Sequence, residues 1–157
     1  MKNLSFVIKC AAAAFVLTAA ISCSTEVKSD RDTSYLEEIT IARLGEGYKN
    51  GTFTIEKVTS DYLYRIEKID QNGPKLNSVI SINPDAIEIA KELDKELAEG
   101  KSRGPLHGIP VILKDNIDTK DSMPTTAGAT VLKNSFVGRD SKVAEKLRAA
   151  GAVIIGK

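Results

Sequence analysis

Two apolar stretches decide the fold of this chain, Ile109–Leu113 (IPVIL) and Ala152–Ile155 (AVII). A short continuous apolar run is typical of a strand buried on both faces of a sheet. Between them the sequence predicts a helix that is capped by Asp140 or Ser141 and runs through Ala150. Strand, crossover helix and strand make a βαβ-like unit, so we expect an α/β fold with an at least partly parallel sheet. The positions of this helix predicted to face inward are Val143, Leu147 and Ala150.

Upstream, three helices and one further strand are predicted. The helices are expected over Tyr35–Tyr48, from a Thr54 cap to about Ile69, and from Asn83-Pro84 to Glu99. Leu76–Ile82 is rich in β-branched residues and predicts a strand. A sheet of about three strands is too small to close a core, so the pattern indicates the front part of a larger domain. The apolar positions that define the helix faces are Ile39, Ala42, Leu44, Tyr48, Ile55, Val58, Tyr62, Ile66, Ile69, Ala86, Ala90, Leu93 and Leu97.

The first 22 residues have the pattern of a signal peptide. Lysines at positions 2 and 9 precede the apolar run Cys10–Ile21, which at about a dozen residues is too short for a permanent membrane helix. Small residues then lead into Cys23, as in a bacterial lipobox, although Ala20 stands where leucine is usual. The sequence therefore predicts lipidation of Cys23 and a location in the bacterial cell envelope. An ordinary secretory signal with an incidental Cys23 is the alternative.

Domain organisation follows from this beginning. We expect a signal peptide over residues 1–22, a polar, flexible tether over 23–34 and a domain over 35–157. Cys10 and Cys23 are the two cysteines of the sequence, so removal of the signal and lipidation would leave no disulfide.

Composition excludes several classes of function. The chain has 157 residues with 22 Lys and Arg against 21 Asp and Glu, which gives no electrostatic case for a nucleic-acid partner. His107 is the one histidine, and no Asp, Glu or Cys accompanies it at ligand spacing, so we expect no metal site. The same histidine would have to serve any Ser-His-Asp triad, but its Pro/Gly loop favours a structural role.

Lys114 is the candidate catalytic residue. It follows a buried-type strand directly, and ligands of α/β sheets collect outside the carboxyl ends of the strands. The pKa of lysine in water is about 10.4, and burial lowers it toward values at which the amine acts as a base. From its position alone, a lysine that ends a strand usually just extends its amine to solvent and has no catalytic role.

The surrounding residues favour the catalytic reading. Gly104–Thr119 (GPLHGIPVILKDNIDT), Pro124–Gly128 (PTTAG) and Leu147–Lys157 (LRAAGAVIIGK) resemble, in order, the N-terminal motifs of the amidase signature family. Leu76–Val79 and Asn83–Ala86 are similar to that family's entry region. Ala129 departs from the pattern, since serine is common there.

The resemblance implies a function for the chain. Enzymes of this family hydrolyse amide bonds without a cofactor, using a serine nucleophile, a second serine in a cis peptide and a lysine whose place falls on Lys114. The two serines belong to a glycine- and serine-rich run that this sequence lacks through Lys157. We therefore expect an amidase acting on a small amide or peptide amide as the full-length protein, with the 157-residue chain inactive by itself.

One motif match is set aside, and one other interpretation competes with the hydrolase. Gly151–Lys157 matches the spacing of a P-loop, but its central residues Ala-Val-Ile-Ile favour a strand instead of a phosphate-binding turn. The runner-up function is a non-catalytic envelope lipoprotein that retains only the first part of the family's fold.

Overall fold

The computed structural model describes residues 31–157, so the predicted signal peptide, Cys23 and most of the tether lie outside the described residues. The main elements are the helices α1 (Ile41–Lys49), α2 (Ile55–Arg65), α3 (Ala86–Ala98) and α4 (Lys142–Ala149) and the strands β1 (Pro110–Ile112) and β2 (Val153–Gly156). A π-helical stretch, Ile66–Gln71, continues α2, and short 3-10 turns cover Ser34–Leu36 and Thr130–Leu132. No helix within residues 31–157 is both long and apolar enough to cross a bilayer.

β1 and β2 form a parallel pair connected through α4. Pro110 is opposite Val153 and Val111 opposite Ile154, with an irregularity before the pairing of Ile112 with Gly156. Parallel strands need a crossover connection, and the segment that contains α4 supplies it. The expected α/β class with a partly parallel sheet is confirmed.

β2 is buried on both faces. Val153 and Ile155 pack into a cluster with residues of α1, α2 and α3, whereas Ile154 packs into a second cluster with Leu113 and Ala144. Side chains alternate across a strand, so consecutive residues of β2 enter two different cores. Helices therefore cover both faces of this strand.

The other predicted strands are less regular than the sequence suggests. Ile112 of β1 is 48% exposed, so the expectation that Ile109–Leu113 is buried on both faces is wrong for its centre. Only the ends of that run, Ile109 and Leu113, are buried. Within the described residues, β1 pairs with β2 along one edge, and no further strand pairs with its other edge.

Leu76–Ile82 is not a strand, which corrects the prediction. Lys75 and Asn77 have positive φ, and the N–H groups of Ser78 and Val79 donate to the Asp70 carboxylate instead of to a neighbouring strand. Only the end of the segment pairs with β2, through an antiparallel bridge between Ile82 and Gly156.

The helix starts follow local capping chemistry. The side chains of Thr40, Thr54 and Ser141 accept backbone N–H bonds at the starts of α1, α2 and α4. The predicted cap of α2 at Thr54 is confirmed, and Ser141 is the one of the two candidate caps that serves α4.

Three helix predictions need correction. Tyr35 lies in a 3-10 turn, so the first helix begins at Ile41 and not at Tyr35. α3 begins at Ala86, after a turn in which the Asn83 side chain accepts from Asp85 N–H. In α4, Val143 is 50% exposed and the neighbouring Ala144 is fully buried, so the prediction is wrong for Val143, whereas Leu147 packs against the core as expected.

The last residues of the predicted tether contact the domain. The Arg31 guanidinium donates to Ser60 Oγ at 2.9 Å and lies 3.3 Å from Asp61 Oδ1, and Thr33 is buried. Burial by itself would raise the pKa of Asp61, but hydrogen bonds from Lys57 and Tyr35 outweigh it and lower that pKa.

Asp94 of α3 caps the neighbouring helix α2. Its two carboxylate oxygens accept from Ile55 N–H at 2.8 Å and Glu56 N–H at 2.9 Å. These are N–H groups that a helix cannot satisfy internally, and a negative charge at a helix N-terminus is favourable. This side chain therefore joins α3 to α2.

We predict that Asp94→Ala lowers the free energy of unfolding by about 1–2 kcal/mol, because both N–H groups lose a charged acceptor. Glu92→Ala, an exposed position on the same helix, is the control and should stay within about 0.5 kcal/mol. Urea unfolding measures both variants, and equal effects would contradict the capping role.

Asp70 predicts a pH dependence of stability. Hydrogen bonds from the Ser78 hydroxyl and from the N–H groups of Ser78 and Val79 lower the pKa of Asp70 below its ordinary value. Because the folded-state pKa is lowered, the stabilisation is present above the unfolded value of about 3.9 and is lost as pH falls through the folded value. Asp70→Asn should therefore lower the free energy of unfolding at pH 7 and have little effect near pH 2. A loss of equal size at both pH values would contradict this assignment.

Candidate active site

A cleft opens at the carboxyl ends of β1 and β2. It has a volume of about 530 Å³. Leu113 N–H donates to Gly156 O at 3.1 Å, which keeps the two strand ends side by side. Each strand is followed by a lysine, Lys114 after β1 and Lys157 after β2. The lining residues are Ser78, Ile80, Ile112, Leu113, Lys114, Asp115, Asn116, Ala127, Gly128 and Lys157.

Lys114 lines this cleft with an exposed side chain. Its ammonium forms no hydrogen bond or ion pair with other residues of the 31–157 segment. Its backbone is fixed, since Lys114 O accepts from Ile117 N–H at 2.9 Å. The strand end therefore places the candidate base at the cleft and leaves its amine available.

Asp115 points into the protein next to Lys114. The residue is 6% exposed, and its Oδ2 accepts from the Thr126 hydroxyl and, at 3.5 Å, from Gly128 N–H. Its backbone oxygen accepts from Ala127 N–H at 3.0 Å. The other carboxylate oxygen, Oδ1, is buried and has no hydrogen-bond partner among the described residues.

The loop that meets Asp115 makes a tight turn. Ala129 N–H donates to Thr126 O at 2.9 Å, and the two residues between them have positive φ, 48° for Ala127 and 77° for Gly128. Positive φ is costly for alanine, so the contacts of this turn with Asp115 must outweigh a local strain. Asp115 therefore holds this loop in place.

Lys157 occupies the other side of the cleft. Its residue is 2% exposed, and its Nζ donates to Thr125 Oγ1 at 2.8 Å and to Pro124 O at 3.3 Å. Burial lowers the pKa of this ammonium, while Asp121, Asp115 and Asp118 partly offset that effect. This lysine fastens the loop to the sheet, a role that the sequence analysis missed, although Lys157, like Lys114, follows an apolar run that predicts a strand.

The third wall comes from the segment after Asp70. Ile80 N–H and Ser81 N–H both donate to Lys157 O, at 2.7 and 3.1 Å, and Lys157 N–H donates to Ser81 O at 2.9 Å. This pairing places Ser78 and Ile80 at the cleft. The segment Leu76–Ile82, which is not the strand that the sequence predicted, thus contributes Ser78 and Ile80 to the candidate site.

His107 has a structural role, as expected. It is buried, its Nε2 is 3.0 Å from Leu93 O, and its Nδ1 accepts from Arg103 N–H at 3.2 Å. Both ring nitrogens are engaged, so this histidine offers neither a base nor a metal ligand. It borders a larger groove of about 790 Å³ between α1 and the loop before β1.

The family model described as Amidase matches residues 57–157, which include the cleft residues. This chain belongs to the amidase family. The resemblance found in the sequence is thereby confirmed at the level of the family. The P-loop interpretation is excluded, because the residues between its two glycines include most of β2.

Several relatives share this part of the amidase family. A protein of Schizosaccharomyces pombe that carries the name amidase is 47% identical over 121 residues, which is 77% of this chain and 20% of the relative. One subunit of the glutamyl-tRNA(Gln) amidotransferase of Alkaliphilus metalliredigens is 37% identical, over 78% of this chain and 24% of the relative.

Solved amidase structures agree with this fold. The peptide amidase from Stenotrophomonas maltophilia superposes with a TM-score of 0.74 at 42% identity, over 76% of this chain and 24% of that protein. An amidase family protein from Bacillus anthracis gives a TM-score of 0.75 at 40% identity, over 79% of this chain and 24% of that protein. The chain thus spans about a quarter or less of the length of these relatives.

Metal chemistry has no evident site in the described part of this amidase-family chain. Residues 31–157 contain no group of three or more His, Cys, Asp or Glu side chains placed to hold a metal ion. The polar side chains that line the cleft are two lysines, one carboxylate, the Ser78 hydroxyl and the Asn116 amide.

We predict that Thr126→Val lowers the free energy of unfolding by about 1–3 kcal/mol, because it removes a hydroxyl donor from the buried Asp115 carboxylate while keeping the shape of the side chain. Thr130→Val, an exposed threonine of the same loop, is the control and should have little effect. Chemical denaturation compares the two, and an unchanged stability of Thr126→Val would contradict the importance of this contact.

Proposed function

We propose that the full-length protein is an amide hydrolase in which Lys114 is the base. The observation that carries this proposal is the position of Lys114, at the end of β1 in the cleft, inside the segment that matches the amidase family. The homologous amidases act on carbon–nitrogen bonds. In the cleft, the Lys114 amine forms no hydrogen bond or ion pair with any other described residue.

The proposed mechanism follows from the family resemblance. Neutral Lys114 takes a proton, through a bridging serine in a cis peptide, from a serine nucleophile. The nucleophile Oγ bonds to the carbonyl carbon, the carbon–nitrogen bond breaks, and the amine leaves with a proton. Water then releases the acyl group and restores the serine. No cofactor is needed for these steps.

This mechanism requires more protein than residues 1–157. The sequence contains no Gly-Gly-Ser-Ser-like run that could supply the two serines. Burial favours the neutral form of a lysine, and Lys114 is exposed in the described segment. Ile80 and Ile112, which line the same cleft, are 57% and 48% exposed. A further segment that covers this edge would bury these apolar side chains and Lys114 together.

The proposed substrate is a small amide or a peptide amide. Support comes from the peptide amidase, which shares 42% identity with this chain. The predicted envelope location argues against the role of the amidotransferase, which would need charged tRNA, and the balanced charge of the chain agrees with this.

A non-catalytic envelope lipoprotein is the second candidate. The protein would be of this kind if no serine pair followed Lys157 in the gene, since a base without its nucleophile loses nearly all activity. Sequencing the gene beyond the codon for Lys157 separates the candidates. A continuing frame that encodes paired serines in a glycine-rich run supports the hydrolase, and a stop codon supports the lipoprotein.

We predict that Lys114→Ala lowers kcat/KM of the full-length protein on a peptide amide by about 10³-fold or more, because base and nucleophile act as a unit. Lys133→Ala, another exposed lysine, is the control and should keep wild-type rates. The 157-residue chain alone should show no turnover. Near-normal rates for Lys114→Ala, or Lys114-dependent turnover by the short chain, would refute these assignments.

We also propose that Cys23 carries a lipid that anchors the protein in the bacterial envelope. The expressed protein should partition into detergent, and Cys23→Ser should shift it to the aqueous phase because the acceptor thiol is lost. Cys10→Ser, inside the predicted signal peptide, is the control and should partition like wild type. Unchanged partitioning of Cys23→Ser would disprove lipidation.

A further inference from the structure

The two oxygens of the Asp115 carboxylate have different surroundings. Oδ2 accepts from the Thr126 hydroxyl and from Gly128 N–H, whereas Oδ1 is buried without a partner among the described residues. A buried carboxylate oxygen that lacks a donor carries a substantial desolvation cost. Asp115 also lines the cleft next to Lys114, so the cleft is the side from which a group outside the described residues would approach this carboxylate.

The carboxylate cannot easily turn to use another partner. The contacts of Oδ2 and the bond from Ala127 N–H to Asp115 O hold both the side chain and the backbone. The nearby ammonium of Lys157 is engaged with Thr125 and Pro124. Lys114 and Asn116 are exposed and do not bond to Asp115. None of the described residues therefore donates to Oδ1.

We propose that Asp115 is a positioning residue of the Lys114 site, whose Oδ1 accepts a hydrogen bond from an N–H or O–H donor that enters the cleft. This inference rests on the proposed amide hydrolase. Two sources carry such a donor, the amide nitrogen of the substrate and a further segment of the protein that completes the site. In either case the bond sets the position of the donor relative to the Lys114 amine.

Asp115→Asn tests this role sharply. The Thr126 hydroxyl and Gly128 N–H are donors, so they hold the amide oxygen of the new side chain at the position of Oδ2. The amide NH₂ then lies at the position of Oδ1. Because it is itself a donor, it cannot accept the proposed hydrogen bond. The fold should remain, because the contacts of Oδ2 are kept, while the acceptor is lost.

The full-length protein is assayed on a primary amide and on its N,N-dimethyl analogue, used as substrate or competitive inhibitor. We expect kcat/KM of Asp115→Asn on the primary amide to fall about 10- to 100-fold. A rise in KM for the primary amide, with unchanged affinity for the analogue, identifies the substrate as donor. A fall in kcat with unchanged KM identifies a segment of the protein. Asp118→Asn, in the same loop, is the matched control and should keep wild-type kinetics.

Values of kcat and KM within twofold of wild type for Asp115→Asn would overturn the proposal. If that variant fails to fold, an experimental structure of the full-length protein, free and with a primary amide, decides it. A nitrogen or oxygen donor of the substrate or of the protein within about 3.3 Å of Oδ1 supports the role, and its absence in both states, or a water alone at that place, overturns it. Loss of activity in Lys114→Ala with no effect of Asp115→Asn refutes only this inference, whereas full activity of Lys114→Ala refutes the proposed function.

Discussion

The burial of β2 on both faces and along both edges is the constraint on which the described structure depends. Val153 and Ile155 enter one core and Ile154 the other, so two layers of helices are fixed by three consecutive residues. β1 pairs along one edge, and the Ile80–Asn83 segment pairs along the other. Gly156 permits this second approach, since a Cβ there would lie 2.8 Å from Ser81 O. The strand thereby joins the first half of the domain to the second.

The candidate site is a direct consequence of this arrangement. Two parallel strands that end together place Lys114 and Lys157 at one edge, yet the two lysines have different environments. Lys157 is drawn into the protein by Thr125 and Pro124, whereas Lys114 remains exposed. One lysine thus fastens the loop that forms the cleft wall, and the other is left available for chemistry. Asp115 holds the same loop through Thr126 and Gly128.

Features that depend on neighbouring residues were predictable from the sequence. The caps at Thr54 and Ser141 form because a hydroxyl bonds an N–H three residues ahead, which needs no distant partner. The buried stripe of α3 was correct for Ala86, Ala90 and Leu93. Features that depend on docking were less predictable, as in α4, where the packing against Ile154 selects Ala144 over Val143. The strand over Leu76–Ile82 failed because the Asp70 carboxylate competes for the N–H groups that a ladder would use.

The sequence by itself determined the α/β class, the order of the helices, the amidase family and the place of Lys114 at a strand end. These follow from hydrophobic periodicity, capping chemistry and motifs, all of which are written in short contiguous stretches. Only the tertiary structure decided that Lys157 is buried, that Ser78 reaches the cleft and that one oxygen of Asp115 lacks a donor. Burial and hydrogen-bond pairing are set by residues far apart in the chain, such as Ser81 with Lys157, so no local pattern reveals them.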